Sequence, residues 1–449
     1  MSASDRAAPA AGWRAHLSLT LLALVYVFSF IDRNVIAIVI EPIKLEFGAS
    51  DTVMGLLTGI AFALLYAMLG VPLGRMADRG ANRRNMVAVC CGLWSLATMA
   101  CGMAQQFWQL LLARMTVAIG EAGGMAPSVS MVADLYPRER RSLAMSLFMM
   151  GPHLGLLVAM VLGGWLAQTY GWRVTFLAFG APGLLLALLL RLTREPQRGA
   201  QDAPGSTAGP DTSLWQQLGT LVAIRGFALL CLACGLAGMA GYGYGIWAPT
   251  FLLRTHGLGM AEAGLLFGIA SGLSAAAGAL FSGWYCDRLC RHDTRWQLGM
   301  PLLGVLISIP MGIAFVLWPA TGAWQLGELR VPHAMLFAAG FGFFNSWWPS
   351  LAYAATSHML NAHQRALGAA LLNLGITLLG AGFGPLLSGI LSDAFTASMG
   401  PDGLRYALAS ILCLLLVTAL LLAIAIPHYQ QRTRAMGDAS TAPQATSGA

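Results

Sequence analysis

The stretch Tyr26–Ile40, YVFSFIDRNVIAIVI, reads as a membrane-spanning helix with two charges, Asp32 and Arg33, side by side past its middle. At the centre of such a helix either residue costs roughly 2.5–3.5 kcal/mol on insertion scales. Two charges in one span therefore call for partners inside a bundle.

The surrounding chain has the composition of an integral membrane protein. Of its 449 residues 57% are hydrophobic and only 10% charged, and the mean hydropathy is +0.67. That exceeds what a soluble core requires. The apolar runs are continuous rather than alternating, which argues against a transmembrane β-barrel. Twelve spans are predicted, at 16–40, 51–73, 85–104, 107–134, 141–167, 173–192, 221–251, 260–285, 297–318, 332–356, 364–391 and 403–427. The segment after the polar first residues is too long for a signal-peptide core, so it is expected to stay as the first helix.

An even number of spans places both termini on one side, and the arginines say which. With the termini inside, the inner loops carry most of the 26 basic residues. Only Lys44, Arg173, Arg254, Arg330 and Arg405 fall outside, and Arg33 and Arg114 lie within spans. This asymmetry predicts cytoplasmic termini. It also accounts for the net charge of +7 without nucleic acid, since no basic groove with interleaved aromatics is present. The eight cysteines lie in or beside apolar segments and read as packing residues, with no disulfide framework.

Between spans six and seven, TREPQRGAQDAPGSTAGPDTS reads as a flexible linker, and LWQQLGTLVAIRGF after it begins as a candidate interfacial helix. The predicted organisation is a six-helix bundle over 1–192, a cytoplasmic linker over 193–220, a second six-helix bundle over 221–427, and a disordered cytoplasmic tail over 428–449. One pattern recurs in corresponding places of the two halves. After span two come Gly74, Asp78 and Arg79, then Arg83 and Arg84; after span eight come Gly283, Asp287 and Arg288, then Arg291. A single GxxxDR is a weak signal, but two in register imply a parallel repeat of related bundles.

With these motifs the chain resembles the major facilitator superfamily over essentially its full length. The first loop matches the GxxxDR…RR signature with one extra residue before Arg83, and ARMTVAIGEA (Ala113–Ala122) matches the arginine-glycine motif of the fourth helix. More narrowly, FIDRNVIA, IGEAGGMAPS, VADLYPRERR and GWRVTFLAFGAPG resemble the spinster-like branch, whose characterised members export lysolipids or phosphorylated sphingoid lipids. The narrower match lies almost wholly in the first half.

The chemistry is concentrated in spans one and four. Of the 19 acidic residues, only Asp32 and Glu121 fall deep inside apolar spans. Asp32 lies about eight residues, roughly 12 Å, from the outer end of span one, and Arg114 lies about as deep in span four. Glu121 follows Arg114 by seven residues, which returns it to nearly the same helix face. Asp32, Arg33, Arg114 and Glu121 sum to zero formal charge, so mutual pairing is feasible at low dielectric. Fastening two helices is the plain explanation, but apolar packing does that with less desolvation. A carboxyl group whose proton affinity depends on a movable arginine is a switch. The four residues are therefore expected to couple protons to transport, as the resemblance also implies for matching positions.

The cytoplasmic motif is expected to act as a latch, with Arg79 reaching Asp134 at the inner end of span four and Gly74, Asp78, Arg83 and Arg84 around it. Asp287 and Arg288 form a more degenerate counterpart. In span five, Gly151-Pro152 predicts a bend and a close neighbour. This stretch resembles the GPxxGG signature of drug–proton antiporters, with Leu156 in place of the last glycine.

Candidate substrate contacts are Arg33, Arg114, His153, Tyr242, Asn345 and Asn373, with Tyr244, Trp247, Trp347, Trp348 and Thr377 as further cavity candidates. A charged first half and a largely apolar second half suit an amphiphile.

The function expected is proton-coupled transport of a lysophospholipid or sphingolipid-like amphiphile by alternating access in a bacterial plasma membrane. Rival readings are a multidrug or organic-anion transporter on the same fold and a lipid-binding protein without transport. Expected partners are the amphiphile, protons and membrane lipids, with the chain acting as a monomer. No nucleophile–base pair, metal-ligand spacing or phosphate loop is found, so neither enzyme activity nor a cofactor or metal is expected.

Overall fold

The computed structural model describes residues 12–198, 214–361 and 364–441, and nearly all of them are helical. Span one is α1 (Trp13–Phe47), longer than predicted at both ends. Span two is α2 (Asp51–Thr58) and α3 (Ile60–Asp78), interrupted at Gly59. The N-terminus of α2 is capped by Ser50, whose hydroxyl accepts from the Val53 amide at 3.2 Å. Span three is α4 (Arg83–Met103) and span four is α5 (Phe107–Ala122) with α6 (Met125–Leu135). Span five is α7 (Arg138–Met149) and α8 (Gly151–Tyr170), and span six is α9 (Trp172–Leu192).

The interfacial-helix expectation falls on α10 (Leu214–Val222), a short helix directly before α11 (Arg225–His256). Span eight is α12 (Met260–Phe267) and α13 (Ser274–Cys290), joined by a π-helical turn, and span nine is α14 (Trp296–Leu317). A two-stranded hairpin follows, β1 (Ala323–Leu326) and β2 (Leu329–Pro332), which an all-helical expectation does not include. Span ten is α15 (Met335–Asn345) and α16 (Trp347–Met359); span eleven is α17 (Arg365–Gly375) and α18 (Gly384–Met399) around another π-helical stretch. Span twelve is α19 (Gly403–Leu412) and α20 (Leu414–Thr441).

Among the described residues nine helical stretches are long and apolar enough to cross a membrane. One of them, 367–436, holds two spans, while Phe107–Leu135 and Met335–Met359 are divided by breaks, which accounts for the predicted twelve.

Two expectations about the ends of the bundles need correction. The chain after span six is not wholly a loose linker: Thr193–Arg198 is tied to the start of α4 by hydrogen bonds from Arg83, Arg84 and Arg198. The rest of that linker, 199–213, lies outside the described residues. The tail expected from 428 onward continues as helix to Thr441, because its first turns are pinned. Tyr429 is buried with its hydroxyl 3.1 Å from His358 Nδ1, and Gln430 Oε1 accepts from Arg295 Nε at 3.0 Å. Residues 442–449 lie outside the described ones.

The chain packs as two compact units. The first is residues 1–208 with Ile246–Gly272 and Gly327–Arg330; the second is Gly209–Gly245, Leu273–Leu326 and 331–449. In the first unit α8 lies tight against α1, as the Gly151-Pro152 motif predicts. A Cβ at Gly155 would stand 2.7 Å from the Val27 carbonyl oxygen, and one at Gly151 would stand 2.7 Å from the Tyr26 ring. That approach fixes the middle of α1, where Asp32 and Arg33 lie.

Candidate transport site

Within the first unit α1, α3 and α5 bring charge and aromatic rings together. Asp32, Arg114 and Glu121 are all buried, at 1%, 2% and 3% exposure, whereas the Arg33 side chain keeps 25%. Arg33 Nε donates to Glu121 Oε2 in an ion pair, and the Ser29 hydroxyl approaches the same oxygen at 3.5 Å. Arg114 reaches α1 as expected, but at a backbone atom: its Nη1 donates to the Asp32 carbonyl oxygen at 2.8 Å. Asp32 Oδ1 and Glu121 Oε1 are left without hydrogen-bond partners. The four charges thus form one cluster in which the arginines are placed and the carboxylates keep spare acceptor capacity.

Aromatic rings enclose the exposed side of this cluster. The guanidinium carbon of Arg33 lies 4.5 Å from the Tyr66 ring centroid, 5.1 Å from Phe30 and 5.2 Å from Phe62. Arg114 lies 5.6 Å from the same Phe62 ring. These distances are within the cation–π range. Phe62 and Tyr66 were not among the sequence candidates, although their i, i+4 spacing on α3 places them on one face.

Where α3 gives way to α4, the latch residues are arranged differently from expectation. Asp134 is held by Arg83, whose Nη1 donates to Asp134 Oδ2 at 2.5 Å and to Ser130 Oγ at 2.8 Å. Its Nη2 donates to the Pro196 carbonyl at 2.8 Å, and Glu195 Oε1 accepts from its backbone N–H at 3.0 Å and its Nε at 3.3 Å. Arg79, expected in that role, is exposed as the C-cap of α3, and Arg84 donates to the Thr193 carbonyl at 2.5 Å. Gly74 packs on α6, where a Cβ would find Ala126 at 4.0 Å. The side chain of Asp78 lies outside the described residues.

A match to the model for the major facilitator superfamily covers residues 22–374. The chain belongs to that superfamily. It is 33% identical over 436 residues to a protein of Mycolicibacterium smegmatis named MFS-type efflux pump, covering 96% of this chain and 95% of that one. It is 25% identical over 400 residues to the zebrafish (Danio rerio) sphingosine-1-phosphate transporter SPNS2, covering 84% and 76%. It also superposes with a TM-score of 0.77 and 31% identity on the crystal structure of a bacterial homologue of the human lysosomal transporter Spinster, inward-facing and unoccupied, covering 96% and 99%. This member of the superfamily is therefore a spinster-like transporter rather than an enzyme, a multi-pass inner-membrane protein.

His153 is exposed on α8, and no hydrogen bond or ion pair joins it to the Arg33–Glu121 cluster among the described residues. In the second unit Asn345 Oδ1 is buried without a hydrogen-bond partner, Asn373 Oδ1 accepts from the Tyr353 hydroxyl at 3.2 Å, and Tyr242 is exposed. Asp287 and Arg288 are both exposed, the latter lying 4.6 Å from the Trp284 ring centroid. A further cluster in the first unit was missed altogether. Arg254 of α11 is shared by Glu41 and Asp51, and Lys44 joins it through Asp51. Helical periodicity within single spans gives no indication of a contact more than 200 residues apart in sequence.

Proposed function

We propose that this transporter moves lysophospholipid or sphingolipid-like amphiphiles in a proton-linked cycle, with Asp32, Arg33, Arg114 and Glu121 as its coupling site. The observation that carries the proposal is the Arg33–Glu121 ion pair beside a buried Asp32 carboxyl with an unpartnered oxygen. A buried carboxylate with an oxygen that no donor meets is costly as an anion, and a proton removes the charge. Protonation of Glu121 likewise dissolves its pairing with Arg33 and frees the arginine for an anionic headgroup. Protonation and headgroup binding are then linked through one side chain, which is what coupling requires. The likeness to SPNS2, a sphingosine-1-phosphate transporter, supports the lipid assignment.

The test is flux of a labelled lysophospholipid into proteoliposomes, with and without an imposed proton gradient, beside empty liposomes. Gradient-dependent flux above the empty control is the expected result. A second reading, export of drug-like amphiphiles or organic anions, is favoured by the likeness to the efflux pump. Absence of lysolipid flux together with gradient-driven drug flux would establish it instead.

A further inference from the structure

The rings around Arg33 do more than shield a charge. Phe30, Phe62 and Tyr66 present three faces to one guanidinium, and Glu121 closes the fourth side with a carboxylate whose Oε1 has no hydrogen-bond partner. Three aromatic faces and a carboxylate make the arrangement by which proteins hold organic ammonium groups. We infer that these four residues form a recognition box for the ammonium of the substrate, filled in this structure by the transporter's own Arg33.

Arg33 is suited to be a removable occupant. Its side chain is 25% exposed, so it sits at the open edge of the cluster, whereas Asp32, Arg114 and Glu121 are buried. An incoming ammonium would take over the rings and Glu121, and the displaced guanidinium would be free for the phosphate of the same headgroup. The exchange conserves charge. The four ionisable groups sum to zero when ionised, and a zwitterionic phosphate–ammonium headgroup adds nothing to that sum. A headgroup with phosphate alone would leave an uncompensated charge in a buried site. The inference deepens the proposed function and rests on the headgroup binding at this cluster; it specifies ammonium-bearing headgroups.

The test compares three amphiphiles of matched chain length in proteoliposomes of the wild-type protein and of Tyr66→Leu: lysophosphatidylcholine, lysophosphatidic acid and an alkyltrimethylammonium. The wild type is expected to transport lysophosphatidylcholine in preference to lysophosphatidic acid, with the alkyltrimethylammonium competing. Loss of the Tyr66 ring is expected to weaken lysophosphatidylcholine and alkyltrimethylammonium binding by about 2- to 30-fold, the range for one cation–π contact. Lysophosphatidic acid should be unaffected. Tyr66→Phe keeps the ring and should restore binding, and Phe62→Leu serves as the second variant if Tyr66→Leu fails to fold. Equal transport of the two lipids, or equal weakening of both by loss of a ring, overturns the box while leaving lysolipid transport in place. Ring-dependent binding of the alkyltrimethylammonium without flux of either lipid supports the box and refutes the lysolipid assignment.

Discussion

Arg254 forks onto Asp51, with Nη1 2.7 Å from Oδ2 and Nη2 2.8 Å from Oδ1, although the two residues are 203 positions apart. The same guanidinium reaches Glu41 from Nε at 2.8 Å, and Lys44 Nζ meets Asp51 Oδ1 at 2.6 Å. Asp51 is 1% exposed at the first turn of α2, where the helix dipole also favours an acid. The end of α11 is thereby fixed to α1 and α2 within the first unit.

Removing the fork should therefore be felt as lost stability. Arg254→Ala removes the forked partner of a buried carboxylate, and the expected cost is about 3 kcal/mol, the low end for a broken buried pair. Arg254→Lys should recover only part of it, since an ammonium cannot make both bonds. Melting temperatures in detergent check this, and an Arg254→Ala protein as stable as the wild type would remove the structural role given to the cluster.

Glu121→Gln keeps the shape of the side chain and removes both its charge and its ability to exchange a proton. Flux in this variant is expected to lose its dependence on a proton gradient while substrate binding remains measurable. Arg33 then faces an amide, so affinity for a purely anionic headgroup should change little or rise, whereas an ammonium-bearing headgroup loses the Glu121 carboxylate and should bind more weakly. Coupling that persists unchanged in Glu121→Gln contradicts the assignment.

The crossing of α8 and α12 depends on two glycines. A Cβ at Gly264 would stand 2.1 Å from the Met160 carbonyl oxygen, and one at Gly164 would stand 2.5 Å from that of Met260. Neither contact partner is a flexible side-chain tip, so the backbones must separate. Gly264→Leu is expected to destabilise by at least the 1–3 kcal/mol typical of overpacking. Gly245→Ala, where a Cβ meets nothing within 4 Å, should be neutral or slightly stabilising. Comparable melting temperatures for the two variants would show that the crossing is looser than described.

Much of the site is legible in the sequence because it depends on single-helix geometry. Apolar run length gives the spans, and the seven-residue step from Arg114 to Glu121 places both on the face of α5 that meets α1. Partner choice is less legible, since it depends on atoms that a charge count does not contain. Arg114 is satisfied by a backbone carbonyl of Asp32, which leaves Glu121 to Arg33. The tail past 427 looks disordered by composition, yet Tyr429 and Gln430 are buried against His358 and Arg295 and carry the helix on. Arg254 and Asp51 pair through tertiary packing, so neither neighbourhood in the sequence hints at the other.

The sharpest contrast between sequence and structure is at the latch, and it is directly testable. Arg79 ends α3 and points to solvent, whereas Arg83 opens α4, is 1% exposed, and gathers Asp134, Ser130, Glu195 and the Pro196 carbonyl. Glu195 also accepts from the Arg83 amide, so it caps the positive end of α4 while it pairs with the side chain. Arg83→Ala should cost about 3–5 kcal/mol by breaking a buried ion pair, against about 0.5 kcal/mol or less for Arg79→Ala at the surface. Because the strap Thr193–Pro196 is held largely through Arg83 and Arg84, trypsin should cut the Arg194–Glu195 bond faster in Arg83→Ala and at the wild-type rate in Arg79→Ala. If Arg79→Ala instead destabilises the protein and exposes that bond as much as Arg83→Ala does, the latch is centred on Arg79, as the motif alone would place it, and the role given to Arg83 is wrong.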